Sequence, residues 1–124
     1  MKASTALLIL LATGTAHATP EQARTLKAQG DGLAQRGMAA EALVAYENAI
    51  KADPEWLIGY DALASALFAG SQYDKVIALL RPMVDKHPDY ANGWYSLGFA
   101  YRRTNKNAES MDTQTRHVEG QVLL

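Results

Sequence analysis

Few residues in this chain are suited to chemistry. There are three histidines, His17, His87 and His117, and no cysteine. The segment Asp85-Lys86-His87-Pro88-Asp89 gathers two carboxylates around an imidazole, donor types that a zinc site accepts. The same composition beside a proline is what a turn uses for caps, and the turn is the reading adopted here. The absence of cysteine excludes a disulfide scaffold, thiol catalysis and cysteine-ligated zinc. The glycines form no phosphate-cradling loop, and neither a metal-binding helix motif nor a nucleophile elbow is present. A formal charge of −1 gives no concentrated basic surface for nucleic-acid phosphates. No catalytic residue, metal or cofactor is therefore assigned, and the chain is read as no enzyme. The adjacent pair Arg102-Arg103 can meet acidic groups of a partner, or can simply form a solvated charged face.

The elements that would position these residues repeat. Pro54 and Pro88 stand 34 residues apart and mark equivalent points in three units, Ala23–Trp56, Leu57–Tyr90 and Ala91–Leu124. A period of this length means a solenoid of stacked hairpins, an architecture that presents surfaces. Thr19-Pro20-Glu21-Gln22 reads as a capping box with proline at the first helical position, opening a helix that ends near Arg36 before Gly37. A second helix is expected over 39–52, with Ala42, Leu43, Tyr46, Ala49 and Ile50 on one face. Asp53 is expected to cap a third helix over 55–69, which stops at Gly70. Ser71 is expected to cap a fourth over 73–86, with Asp74 at its third position. A fifth is expected over 89–103 and a weaker sixth over 106–118. Pro82 falls inside the fourth helix, where it lacks an N–H and crowds the carbonyl of Ala78, so a kink is expected. It reads either as a tolerated irregularity or as a hinge.

Ahead of the repeats, Lys2, the apolar run Ala6–Ala12 and the small-x-small site Ala16-His17-Ala18 read as a secretory signal peptide, residues 1–18, cleaved after Ala18. The apolar run is far shorter than the ~20 residues of a membrane span. Cleavage leaves residues 19–124 as one domain and, by removing Lys2, takes the charge from −1 to −2. At this size a core forms without disulfides.

The 34-residue helix-turn-helix unit resembles the tetratricopeptide repeat. In the first unit Gly30, Leu33, Ala42, Tyr46, Ala49 and Pro54 stand at the eighth, eleventh, twentieth, twenty-fourth, twenty-seventh and thirty-second positions. The third unit carries Trp94-x-x-Leu97-Gly98-x-x-Tyr101, the family's first-helix signature. The second is looser, with Tyr60, Leu63, Ala64, Leu67 and Pro88 in place. Gly30, Ala64 and Gly98 share the eighth position, where paired helices approach closely. Gly98→Leu is expected to destabilise by more than about 1 kcal/mol through overpacking. The sixth helix departs from the pattern, with Ser110, Gln114 and His117 at positions twenty, twenty-four and twenty-seven. Met111, Thr115, Val118 and Val122 still form a thin apolar stripe. It reads either as a polar cap or as a face that docks on a partner or a second copy.

The resemblance implies an all-α, right-handed α-solenoid of three hairpins whose first helices line a concave groove. Carried onto this chain, the groove positions are Arg24, Lys27, Asp31, Ala34 and Gln35, then Ile58, Asp61, Ser65, Phe68 and Ala69, then Asn92, Tyr95, Phe99, Arg102 and Arg103. Aromatic and arginine side chains are the usual anchors of binding interfaces, which singles out Phe68, Tyr95 and Phe99; each reads either as such an anchor or as a residue packed on a neighbouring helix or on the leader. A carboxylate clamp of the kind some members use is not expected. Lys27 matches it, but Asp31, Ala62, Asn92 and Ser96 do not. The chain is also similar to small periplasmic members that act as adaptors. The function expected from this is non-catalytic capture of a protein or peptide segment in the bacterial envelope. The alternative is a structural subunit that associates through its terminal repeat face, forming a homodimer or a link in a larger complex.

Overall fold

The computed structural model describes residues 18–104 and 112–118. The expected leader and the first part of the expected sixth helix lie outside the described residues. Five helices follow in order: α1, Pro20–Gln35; α2, Ala39–Ala52; α3, Leu57–Ala69; α4, Tyr73–Lys86; α5, Ala91–Arg103. Residues 112–118 are helical as well. Each helix packs on its chain neighbours, and α3 also touches both α1 and α5.

Local chemistry sets the ends of α1. Thr19 Oγ1 accepts from the Gln22 N–H at 3.2 Å, and Gln22 Oε1 accepts from the Thr19 N–H at 2.9 Å, which completes the capping box. At the other end the Met38 N–H donates to Leu33 O (2.9 Å) and the Gly37 N–H to Ala34 O (3.0 Å). Gly37 takes φ +77°, the left-handed conformation that such a helix end requires. The same hydrogen bonds recur 34 residues later, Gln72 N–H to Leu67 O and Ser71 N–H to Phe68 O, both 2.9 Å. There the left-handed residue is Ser71, at φ 56°. Ser71 therefore forms the turn and does not cap α4, whose N-cap is Gln72 with no side-chain bond.

The inter-repeat turns also differ from expectation. Asp53 is the C-cap of α2, and its Oδ1 accepts from the Glu55 N–H at 3.3 Å. Residues 54–55 form a turn, and α3 begins two residues later than expected, with Trp56 as N-cap. Pro88 and Asp89 behave in the same way ahead of α5, whose N-cap is Tyr90. The physical meaning of the proline spacing lies here. Tyr60 Oη donates to the carbonyl of Pro54 at 3.0 Å, and Trp94 Nε1 donates to the carbonyl of Pro88 at 2.8 Å. Each proline ends one hairpin, and its carbonyl is held by the aromatic residue at the fourth position of the next.

The core runs along the stack. Leu80, Leu97, Val76 and Val84 are fully buried at its centre, with Ala23 and Ala49 sealed in the first hairpin. Gly30 is a site of close approach: a Cβ there would lie 2.5 Å from Tyr46 Cε1. Gly98 is not. Among the described residues, a Cβ there would meet Arg102 Nη1 alone, at 3.9 Å. The third unit has Gln114 where the first has the Tyr46 ring, so the close approach expected at Gly98 is absent at the Cβ among the described residues. Two tight positions escaped the sequence reading, Gly59 against Ile50 (3.0 Å) and Gly93 against Val84 (2.8 Å). They too are 34 residues apart, and they let the start of each new hairpin settle on the end of the last.

Helix α4 continues through Pro82 to Lys86, and Pro82 faces solvent. In the 112–118 helix, the expected stripe members Thr115 and Val118 are exposed, whereas Thr113 is buried. Met111 and Val122 lie outside the described residues. Arg116 anchors this helix, donating to Asp85 Oδ1 at 2.7 Å and lying 5.2 Å over the Trp94 ring.

Candidate functional site

The first helices of the three hairpins, α1, α3 and α5, share one side of the stack. Between α1 and α3 they enclose a cavity of about 520 Å³, bordered by Lys27, Asp31, Ile58, Asp61, Ser65 and Ala69. Between α3 and α5 a smaller one of about 180 Å³ is bordered by Asp61, Ser65, Asn92, Tyr95 and Ser96. Asp61 and Ser65 border both, so the two cavities adjoin along the side that α1, α3 and α5 share.

Its polar residues are fixed by neighbours. Asp31 accepts from Lys27 Nζ at 2.7 Å and from Tyr46 Oη at 2.8 Å. Partial desolvation acts to raise the Asp31 carboxyl, but the hydrogen bonds from Lys27 and Tyr46 prevail and hold it below its ordinary value. Desolvation first, then the bond to Asp31, push the Tyr46 phenol from 10.0 up to about 12. Asp61 accepts from Tyr90 Oη and, at 3.3 Å, from Asn92 Nδ2. Burial and that carboxylate together push the Tyr90 phenol upward. Both acids thus tie one repeat element to another while bordering the groove. Lys27, Asp31 and Asp61 leave this stretch net negative.

The remaining expected groove residues divide into two groups. Tyr95 is 73% exposed and stands in the groove wall. Ala34 and Ile58 border the first cavity, Ile58 being half exposed. Gln35 is exposed at the end of α1. Phe68 and Phe99, in contrast, pack on each other edge to face, with ring centroids 5.4 Å apart, and Tyr73 adjoins Phe68 at 6.0 Å. Arg103 lies 5.2 Å over Tyr73 and 6.0 Å over Phe99, and Arg102 lies 5.8 Å over Phe99. These two phenylalanines join α3 to α5 and are not free anchors. Their signal was Tyr73, a fourth aromatic at the start of the adjoining helix. Arg24 lies 5.6 Å over the Trp56 ring, on the N-cap of α3.

The 85–89 segment is held by ion pairs between repeats. Asp85 meets Arg116 at 2.7 Å and Arg81 at 3.8 Å, and Lys86 binds Glu55. His87 Nε2 lies 3.2 Å from Glu55 Oε2. The hydrogen bond from Lys86 holds the Glu55 carboxyl below its ordinary value. Among the described residues no group of three His, Asp or Glu side chains could hold a metal ion.

Among solved structures, the chain is similar to the first tetratricopeptide domain of Spaghetti (RPAP3), solved bound to the HSP90 peptide SRMEEVD. The TM-score is 0.72 over 84% of this chain and 82% of that one. The fold is a tetratricopeptide-repeat solenoid. The shared identity is 23%, so the likeness is one of architecture. No protein-family model matches, and no curated protein does. In tetratricopeptide terms, the hydrogen bonds from Tyr60 and Trp94 to proline carbonyls are contacts between the fourth position of one repeat and the thirty-second of the repeat before it. Among the described residues no helix is long and apolar enough to cross a membrane.

Proposed function

We propose that this tetratricopeptide chain is a non-catalytic adaptor, exported to the bacterial envelope by its leader, that holds a partner's peptide segment in the concave groove. The observation that carries the reading is the pair of adjoining cavities along α1, α3 and α5, with Asp61 and Ser65 common to both. The peptide bound by the first domain of Spaghetti supports the same use of this fold. The ligand differs, however. An acidic peptide would meet Asp31 and Asp61 here, with Lys27 already paired at 2.7 Å, so like charges oppose it. The net negative stretch suits a segment bearing a lysine or arginine. Tyr95 supplies the exposed aromatic contact, and Arg102 and Arg103 favour acidic groups beyond it.

The test is capture of partners from native cells with the full chain and with Ser65→Trp. The new indole would fill the point where the two cavities join. The reading expects the captured partner to be lost with helicity unchanged, and it fails if the partner is retained.

A second reading rests on Val118, 55% exposed in the last helix, which favours docking through the terminal face. In that case Val118→Asp, and not Ser65→Trp, would release the partner.

A further inference from the structure

The two carboxylates of the groove differ in how their charge is met. Asp31 has a cation of its own, since Lys27 Nζ lies 2.7 Å from its Oδ2. Asp61 accepts from the Tyr90 hydroxyl at Oδ1 and from Asn92 Nδ2 at Oδ2, 3.3 Å away, and both donors are neutral. Burial, then the carboxylate itself, push the Tyr90 phenol upward, so this donor keeps its proton at neutral pH. Among the described residues no lysine, arginine or histidine pairs with Asp61. The net negative charge of this stretch therefore sits on Asp61.

Three observations define the group that complements it. Asp61 borders both cavities and is half-buried, where a charge pair is screened less than on an open surface. Each of its oxygens has accepted one hydrogen bond, and an ionised carboxylate offers about four acceptor sites, which leaves one on each oxygen. Two such acceptors side by side suit the fork of a guanidinium better than the point charge of an ammonium. Tyr95 shares the smaller cavity with Asp61. It is exposed and, among the described residues, has no ring partner, and a tyrosine face is a surface on which a guanidinium stacks.

We propose that the side chain selected where the two cavities adjoin is an arginine of the partner segment, its guanidinium forked onto Asp61 and its face turned to Tyr95. Asp31, already neutralised by Lys27, ties α1 to α2 through Tyr46 and takes no part in this recognition. The proposal rests on the groove reading above and names the residue that the groove selects.

The probes are acetylated, amidated pentapeptides with arginine, lysine or citrulline between flanking alanines. Citrulline keeps the shape of arginine without its charge. Each is titrated into the full chain and followed by amide NMR. Saturable shifts are expected at Asp61, Ser65 and Asn92. Citrulline should bind about tenfold more weakly than arginine, the difference between a charged and a neutral hydrogen bond, with lysine between them. Asp61→Asn, whose amide oxygen still accepts from Tyr90, should bind the arginine and citrulline peptides equally. Asp31→Asn should keep the preference for arginine, and Lys27→Met, which uncovers Asp31, should tighten arginine binding. Added salt should weaken the arginine peptide on the parent chain and spare the citrulline one, which reads the ion pair even if Asp61→Asn does not fold. Equal affinity of arginine and citrulline for the parent overturns the proposal, as do lysine binding as tightly as arginine, a preference that survives Asp61→Asn, and absence of shifts at these amides at tens of millimolar peptide. A partner released by Ser65→Trp but retained by Asp61→Asn keeps the groove and removes the arginine. A partner retained by Ser65→Trp removes the groove reading, while the titration still decides Asp61.

Discussion

Gly30→Ala and Gly98→Ala add the same methyl group at the same repeat position, yet opposite outcomes are expected. Replacing glycine by alanine inside a helix is worth about 0.5–1 kcal/mol through backbone entropy. At Gly98 little among the described residues opposes this gain, since the new Cβ meets a flexible arginine terminus at 3.9 Å. At Gly30 the Cβ lies 2.5, 2.7 and 3.0 Å from three atoms of one ring. That ring cannot simply swing aside, because its hydroxyl is held on Asp31 at 2.8 Å. Overpacking of this kind costs about 1–3 kcal/mol, so Gly30→Ala should lose about 1 kcal/mol net. For a domain of this size, 1 kcal/mol shifts Tm by roughly 4–8 °C. Thermal unfolding followed by circular dichroism should place Gly98→Ala several degrees above the parent and Gly30→Ala several below. The second repeat supplies a control, since alanine there sits opposite Leu80. Tyr46→Leu in the Gly30→Ala background should therefore cost about 1–2 kcal/mol less than the two changes summed. A Gly30→Ala chain as stable as Gly98→Ala would refute the packing argument, and additivity in the double variant would refute its assignment to Tyr46.

Ser71→Gly should raise Tm by several degrees. A left-handed residue other than glycine carries about 1–2 kcal/mol of strain, and the exposed Ser71–Tyr73 hydrogen bond lost with it is worth little. Tyr46 links folding to alkaline pH. Its folded value, about 12, is raised above 10.0, so its contribution is complete below pH 10 and is lost as the pH rises through 12. Chemical denaturation at stepped pH should show that Tyr46→Phe flattens this decline, and an unchanged slope would contradict the assignment. Phe99→Ala should cost about 2 kcal/mol, because its ring packs on Phe68 and lies beneath two arginines. Tyr95→Ala, at a residue 73% exposed, should stay within about 0.5 kcal/mol; equal losses in urea melts would contradict the division of the aromatics.

The hairpins were legible in the sequence because their signals are local. The capping box, the left-handed Gly37 and the 3.6-residue periodicity of α2 each act within one or two turns. The two proline turns were legible in phase but not in register. Asp53 bonds the second residue after it, which makes a turn, and only the distant aromatic at position four shows why the proline carbonyl must face the next hairpin. The groove was legible as a set of positions, not as a set of free side chains. Whether Phe68 and Phe99 stand free depends on Tyr73 and Arg103 reaching them from another helix, a tertiary fact that no local pattern carries. The difference between Gly30 and Gly98 was half visible, since Gln114 was recognised as a departure from the pattern. Its consequence needed the Tyr46 ring for comparison.

The most direct test of the groove is site-specific photo-crosslinking in native cells. A benzophenone side chain is placed at Ser65 or Tyr95 on the concave side, and at Ala78, exposed on α4, as the control. The account predicts one common crosslinked partner from Ser65 and Tyr95 and none of it from Ala78. The same partner captured from Ala78 alone would contradict it.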